Sequence, residues 1–242
     1  MSAITAEDHG TSAPLPGEPP HAHHWEPENA YGGAKLAMWL FLATEILLFG
    51  VLFTAFAIFR YAYLEEFHHA SLKLDWVMGS INTAVLILSS FTAALAVDAG
   101  QKGDNKKVYK LLVFTIFCGF CFLGIKYFEY SHKYHSGVFP GVECTADVDY
   151  CWPSDPSSVE KEFKDKLVTK KYKMYFGLYY CMTGLHALHI IIGMAVLGWV
   201  AWLARRNRFS ERYYTPVELS ALYWHLVDLI WIYLFPLLYL VD

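Results

Sequence analysis

Hydrophobic positions collect into five long runs, about residues 36–59, 77–97, 108–127, 174–203 and 217–241, with charge pushed into the connections. Runs this long and this poor in charge exceed the one-sided apolar stripe of a soluble core helix. The first, from Leu36 to Phe59, carries a single charge, Glu45. At about 1.5 Å per residue it reaches about 36 Å, enough to cross a hydrocarbon core of about 30 Å with some tilt. In hydrocarbon the backbone must satisfy its own hydrogen bonds, so the runs are helices and not strands. The pattern predicts an all-α integral membrane protein, a bundle of five transmembrane helices.

Residues 1–34 break the pattern. They hold Pro14, Pro16, Pro19, Pro20 and Pro27 and no Lys or Arg, which predicts a mobile polar tail ahead of a membrane domain at 35–242. Lacking a basic start followed by an apolar stretch, the tail does not read as a signal peptide. Its cluster His21, His23, His24 could bind a metal ion, although a solvated tail with adventitious metal affinity is the simpler reading. The other long polar piece, 128–173, opens on a Gly-Val-Phe-Pro-Gly turn at Gly137–Gly141, runs acidic through Glu143, Asp147, Asp149 and Asp155, and returns rich in Lys. A connection this long is expected to be functional or partner-binding, or else disordered.

Charge orients the bundle. Five spans place the tail and the loops 98–110 and 204–216 on one side. Those loops hold Lys102, Lys106, Lys107, Lys110, Arg205, Arg206, Arg208 and Arg212, against Arg60 and Lys73 in the short loop 60–76. The positive-inside rule then predicts a cytoplasmic N-terminus and a periplasmic C-terminus. The long loop adds eight lysines to the second side, counting Lys126 among them. Composition narrows the class further. Charged residues are 17% of the 242, against about 25% in soluble domains. Mean hydropathy is +0.28. A formal net charge of −4 offers no basic patch for nucleic acid.

Ionisable and polar groups inside the runs are the candidate chemistry, because such groups are costly in a bilayer. Glu45 lies near mid-membrane, where an unpartnered carboxyl would hold its proton at neutral pH and a partnered one would bond to a neighbouring helix. His186 and His189 share a helical face at a spacing of three, and His225 and Asp228 repeat that spacing in the fifth run. Together they could suggest a metal site or axial haem ligation. With no Glu-x-x-His or H-E-x-x-H pattern present, interhelical hydrogen bonding is the preferred reading, the histidines donating to backbone, to Glu129 or to a lipid phosphate. Cys118, Cys121 and Cys181 lie in apolar runs and read as small buried hydrophobes. Cys144 and Cys151 are the candidate disulfide pair, provided their loop faces an oxidising compartment. Trp39, Trp76, Trp199, Trp202, Tyr213 and Tyr214 fit an interfacial aromatic belt.

Five motifs in order are more specific. Lys35–Gly50 (KLAMWLFLATEILLFG) closely resembles the segment of haem-copper oxidase subunit III that carries a buried, carbodiimide-reactive glutamate. Ser80–Ser90 (SINTAVLILSS), with Asn82, is similar to that family's Asn-Thr-x-x-Leu segment, and Phe128-Glu129-Tyr130 followed by Gly137-Val138-Phe139 to the end of the next helix. Thr183–Gly193 (TGLHALHIIIG) resembles its Thr-Gly-x-His-x-x-His segment, and Tyr223–Trp231 (YWHLVDLIW) its final-helix signature. The resemblance covers about residues 35–242. The longer family form has seven spans, and this chain matches the last five.

The resemblance implies a non-catalytic subunit III of an aa3-type cytochrome c oxidase in an aerobic respiratory chain, in a bacterial inner membrane. It implies that this chain binds no haem, copper or other metal of its own, those centres lying in partner subunits. It further implies packing on subunit I, contacts with subunit II and small subunits, phospholipid binding, and support of proton uptake and of the durability of the oxygen-reducing core. Glu45 maps onto the reactive glutamate. Asn82, Glu129, His186, His189, His225 and Asp228 map onto its polar or lipid-contacting interior. Loop 128–173 is a candidate surface for a larger supercomplex. The alternatives are subunit III of a quinol oxidase or of a nitric-oxide-reductase-associated homologue, and, from another class, a self-sufficient haem or metal enzyme using His186, His189 and His225.

Overall fold

A computed structural model describes residues 27–64, 67, 71, 74, 76–135 and 166–239, with side chains described throughout except at 27–30, 132–135 and 166–173. The candidate disulfide Cys144–Cys151, the turn at 137–141 and the tail histidines His21, His23 and His24 lie outside the described residues. The described chain forms five long helices: α1 (Pro27–Ala62), α2 (Trp76–Gln101), α3 (Asn105–His135), α4 (Lys166–Arg205) and α5 (Thr215–Tyr239). All five are long and apolar enough to cross a membrane.

Each helix but the last outruns its apolar run. α1 already begins at Pro27, inside the stretch read as a polar tail, and Pro suits a first helical position because its missing N–H would be unbonded there anyway. α3 continues to His135 and α4 starts at Lys166, so both ends of the expected loop 128–173 are helical. Hydropathy marks the part of a helix in hydrocarbon. The backbone hydrogen-bond ladder continues into the polar flanks, where water tolerates charged side chains.

α2, α3, α4 and α5 close a ring in which each helix packs on the next and α5 returns to α2. α1 leans on this ring from outside, against α4 and α5. Small residues on the inner face of α2, among them Ser89, Ala93, Ala96, Ala99 and Gly100, permit the close approach that helix packing in lipid requires. Trp224 of α5 fills the centre with no exposed surface, its indole N–H donating to Ser89 Oγ at 3.0 Å. It sits against α4 where Gly193 leaves room, since a Cβ there would stand 3.0 Å from the indole ring. Outward faces carry Phe91, Phe117, Phe120, Trp199 and Leu229, apolar surface suited to lipid or to a membrane partner.

One end of the bundle is tightly laced. α2 stops at a left-handed Gly103 (φ 68°), with Gly103 N–H donating to Gly100 and Asp104 N–H to Ala99. α4 stops in the same way at Asn207 (φ 53°). Asn105 joins the two turns, donating from Nδ2 to Phe209 O at 2.8 Å and accepting Phe209 N–H at 3.1 Å. Lys35 of α1 pairs with Glu218 of α5 at 2.7 Å, and Tyr31 donates to the same carboxylate at 2.9 Å. The start of α1 and both basic turns therefore share one end.

Candidate functional site

The polar residues of the bundle form three groups at different places. The first lies at the seam between α1 and the ring. Glu45 is half-buried there, not fully buried, and its Oε2 is 2.8 Å from His189 Nε2 of α4. The other ring nitrogen, Nδ1, is 2.8 Å from the carbonyl of Leu185. Phe49, one turn after Glu45, meets the imidazole edge-on at a centroid distance of 5.3 Å. Tyr223 of α5 donates to the His189 carbonyl at 3.2 Å.

The second group is the ring interior. His225 Nδ1 bonds to Ser90 Oγ at 2.6 Å, linking α5 to α2. His186 departs from the hydrogen-bonding reading. It is fully buried, sits between Phe122 and Trp231, and neither ring nitrogen has a partner among the described residues. His186 and His189 thus diverge despite their spacing, one into the ring and one toward α1. Asn82 and Asp228 are also buried, and their side-chain polar atoms have no hydrogen-bond partner among the described residues.

The third group lies toward the opposite end from the laced turns. Among the described residues, the groups that bond to Glu129 are not histidines. Its Oε2 takes Lys126 Nζ at 2.7 Å, and its Oε1 accepts from Tyr179 at 2.8 Å and Tyr239 at 2.7 Å. Lys126 also donates to Tyr239 at 2.6 Å and lies 4.6 Å above the Trp231 ring. Both charged side chains are about 5% exposed. Counting Lys126 among the loop charges was therefore wrong: it belongs to the core of α3. The i, i+3 spacing of Lys126 and Glu129 was the available signal, since it puts opposite charges on one helical face. The arrangement is an ionic clamp joining α3, α4 and α5.

One further reading changes. Cys118 is buried, but Cys121 is only partly so and Cys181 faces outward. Trp39, Trp76, Trp199 and Trp202 are all substantially exposed on the bundle surface. Among the described residues, no three His, Cys, Asp or Glu side chains come together as a metal donor set. Outside the spans, Asp104 caps α3 by accepting the Lys107 N–H at 3.1 Å, and that contact holds its carboxyl below the usual range.

The family model for cytochrome c oxidase subunit III matches residues 159–242, the stretch carrying His186, His189, His225 and Asp228. A cytochrome c oxidase subunit 3 from Thermostichus vulcanus is 28% identical, with 98% of each chain covered. The chain is thus similar to subunit III of the haem-copper oxidases. A haem-copper oxidase subunit I+III from Aeropyrum pernix is 29% identical over 92% of this chain, which spans 24% of that longer protein. A probable quinol oxidase subunit 3 from Staphylococcus haemolyticus is 24% identical over 86% of this chain and 89% of its own length. The matches to whole subunits of similar length extend the similarity across α1, α2 and α3, which the family model leaves out. The five apolar helices, together with these oxidase-subunit relatives, make this a multi-pass membrane protein.

Proposed function

We propose that this chain is subunit III, a non-catalytic component of an aa3-type cytochrome c oxidase of an aerobic respiratory chain in a bacterial inner membrane. The observation that carries the reading is the end-to-end match to a cytochrome c oxidase subunit 3. The polar interior is consistent with it, since Glu129, His189 and His225 bond to side chains of this chain itself. Haem and copper belong to partner subunits in this reading. The chain packs on subunit I, as the fused subunit I+III of Aeropyrum pernix suggests, and contacts subunit II and small subunits. It holds phospholipid and supports proton uptake and the durability of the oxygen-reducing core. The basic laced end faces the cytoplasm and loop 128–173 the periplasm, where Cys144 and Cys151 would pair and a supercomplex partner could dock. Glu45 is the carbodiimide-reactive carboxyl, so Glu45→Gln abolishes labelling of this chain; undiminished labelling rejects that assignment.

The test is mild detergent extraction through a tag on this chain. Co-purification of a haem-copper subunit I, with a visible spectrum belonging to the partners, supports the reading. A partner-free chain, or one carrying its own Soret band, overturns it. The second reading, a quinol oxidase, is favoured by the Staphylococcus haemolyticus relative. A copper-binding subunit II in the isolated complex selects cytochrome c as donor, and turnover with quinol alone selects the alternative.

A further inference from the structure

Three side chains of the ring interior are left over by these contacts. Asn82 of α2, His186 of α4 and Asp228 of α5 are each at most 2% exposed. Neither polar atom of any of them meets a hydrogen-bond partner among the described residues. They lie close in level along the bundle. Trp231 packs against His186 at a centroid distance of 5.2 Å and against Phe122 at 4.8 Å. Its indole N–H reaches Thr83, the residue after Asn82, at 3.1 Å. One layer of the ring therefore holds Asn82, Phe122, His186 and Trp231. Asp228, one turn earlier on α5, stands beside Ser89 and Ser90 of α2.

The polar groups around the three are already engaged. Ser89 Oγ donates to the Leu86 carbonyl at 2.7 Å and accepts the Trp224 N–H, and Ser90 Oγ is bonded to His225. Lys126, which shares the Trp231 ring with His186, is bonded to Glu129 and Tyr239. Buried polar atoms in folded proteins are nevertheless satisfied, by protein or by ordered water. Burial decides which kind of partner can serve. Enclosed by four helices, these side chains are out of reach of a lipid headgroup and of a neighbouring subunit. A cation would meet acceptors alone, whereas Asn82 Nδ2 only donates and an imidazole carries at least one N–H in every form. Water both donates and accepts.

We propose that the ring encloses ordered water, bonded to Asn82 and His186 in the Trp231 layer and to Asp228 one turn away. Asp228 and Trp231 differ by about 4.5 Å along α5, so more than one molecule is needed. A buried water makes about three hydrogen bonds to polar groups that lack other partners. These molecules thus join α2, α4 and α5 through their centre, where the three side chains do not meet directly. The inference rests on the contacts of this chain and not on which oxidase contains it.

A density map of the purified complex that shows ordered solvent tests it. Peaks at hydrogen-bonding distance from Asn82, His186 and Asp228 are expected inside the ring. A map in which these side chains bond to protein groups, with no peak beside them, overturns the proposal. So does a metal at the same place, read by elemental analysis and anomalous scattering. Radiolytic hydroxyl-radical labelling in oxygen-18 water asks the same question in solution, because bound water oxidises the side chains that touch it. Phe122 and Trp231 have no exposed surface, yet they should be oxidised and take up the heavy isotope slowly. Their remaining unlabelled overturns the proposal. The double variant Asn82→Leu/His186→Phe should suppress labelling of Trp231 and leave that of the exposed Trp199 unchanged. Undiminished labelling of Trp231 in that variant also overturns it. Should the variant fail to accumulate, the unmodified protein still supplies both readouts. Failure of the oxidase reading would show separately, in which chains co-purify.

Discussion

Lys126 and Glu129 form an ion pair at 2.7 Å inside the bundle, one turn apart on α3, with both side chains almost wholly removed from the surface. Tyr179 and Tyr239 donate to the same carboxylate from α4 and α5. Such a pair stabilises only while complete, because removing one partner strands a charge in a low-dielectric interior.

Lys126→Met should therefore cost about 3–5 kcal/mol. The double variant Lys126→Met/Glu129→Gln should be clearly milder than the single one, since no charge is left behind. Thermal unfolding in detergent, followed by helical circular dichroism, distinguishes the two. Equal losses would mean that the clamp contributes as packing and not as charge.

Gly193 is the place where α4 yields to α5. A Cβ would stand 3.0–3.1 Å from Trp224 and Tyr223, and the Trp224 indole is held by Ser89 and cannot swing away. Gly193→Val should destabilise the bundle by about 1–3 kcal/mol through overpacking. A lowered midpoint in the same melts, with Trp fluorescence altered at low temperature, is the expected result.

Asn105 satisfies both backbone groups of Phe209, a buried residue in the turn between α4 and α5. Asn105→Ala leaves those groups unbonded and should cost about 1–3 kcal/mol. Limited proteolysis between residues 206 and 214 should accelerate correspondingly, whereas cleavage elsewhere stays unchanged.

Asp104 supplies a pH dependence with a definite sign. Its carboxyl is held below its ordinary value by the Lys107 backbone N–H, with the Lys107 ammonium 3.1 Å away as a second cause. A depressed carboxyl stabilises the start of α3 above about pH 4, and that contribution disappears as pH falls through the lowered value. Amide protection in the first turn of α3, taken relative to the intrinsic exchange rate at each pH, should fall on acidification, and Asp104→Asn should flatten that response.

Glu45 and His189 show how far the sequence carries. The residue at position 45 was legible as an acid in hydrocarbon, and His189 as an intramembrane imidazole, because both facts are local. Their pairing was not, since it depends on the rotation of α4 and on where α1 leans. The same rotation separates His186 from His189, which share a face by spacing alone. Lys126 was misplaced for a related reason. Its hydropathy is that of a loop residue, and only Glu129, Tyr179, Tyr239 and Trp231 converging from three helices make its burial tolerable.

The five helices were determined by sequence alone, because hydrocarbon forces every apolar run of sufficient length to satisfy its own backbone. So was the class of protein, since its motifs occur in order along α1 to α5. Tertiary structure decided which polar groups meet. Hydrogen bonds and ion pairs act over about 3 Å, and the helices that supply their two halves lie up to 187 residues apart in the chain.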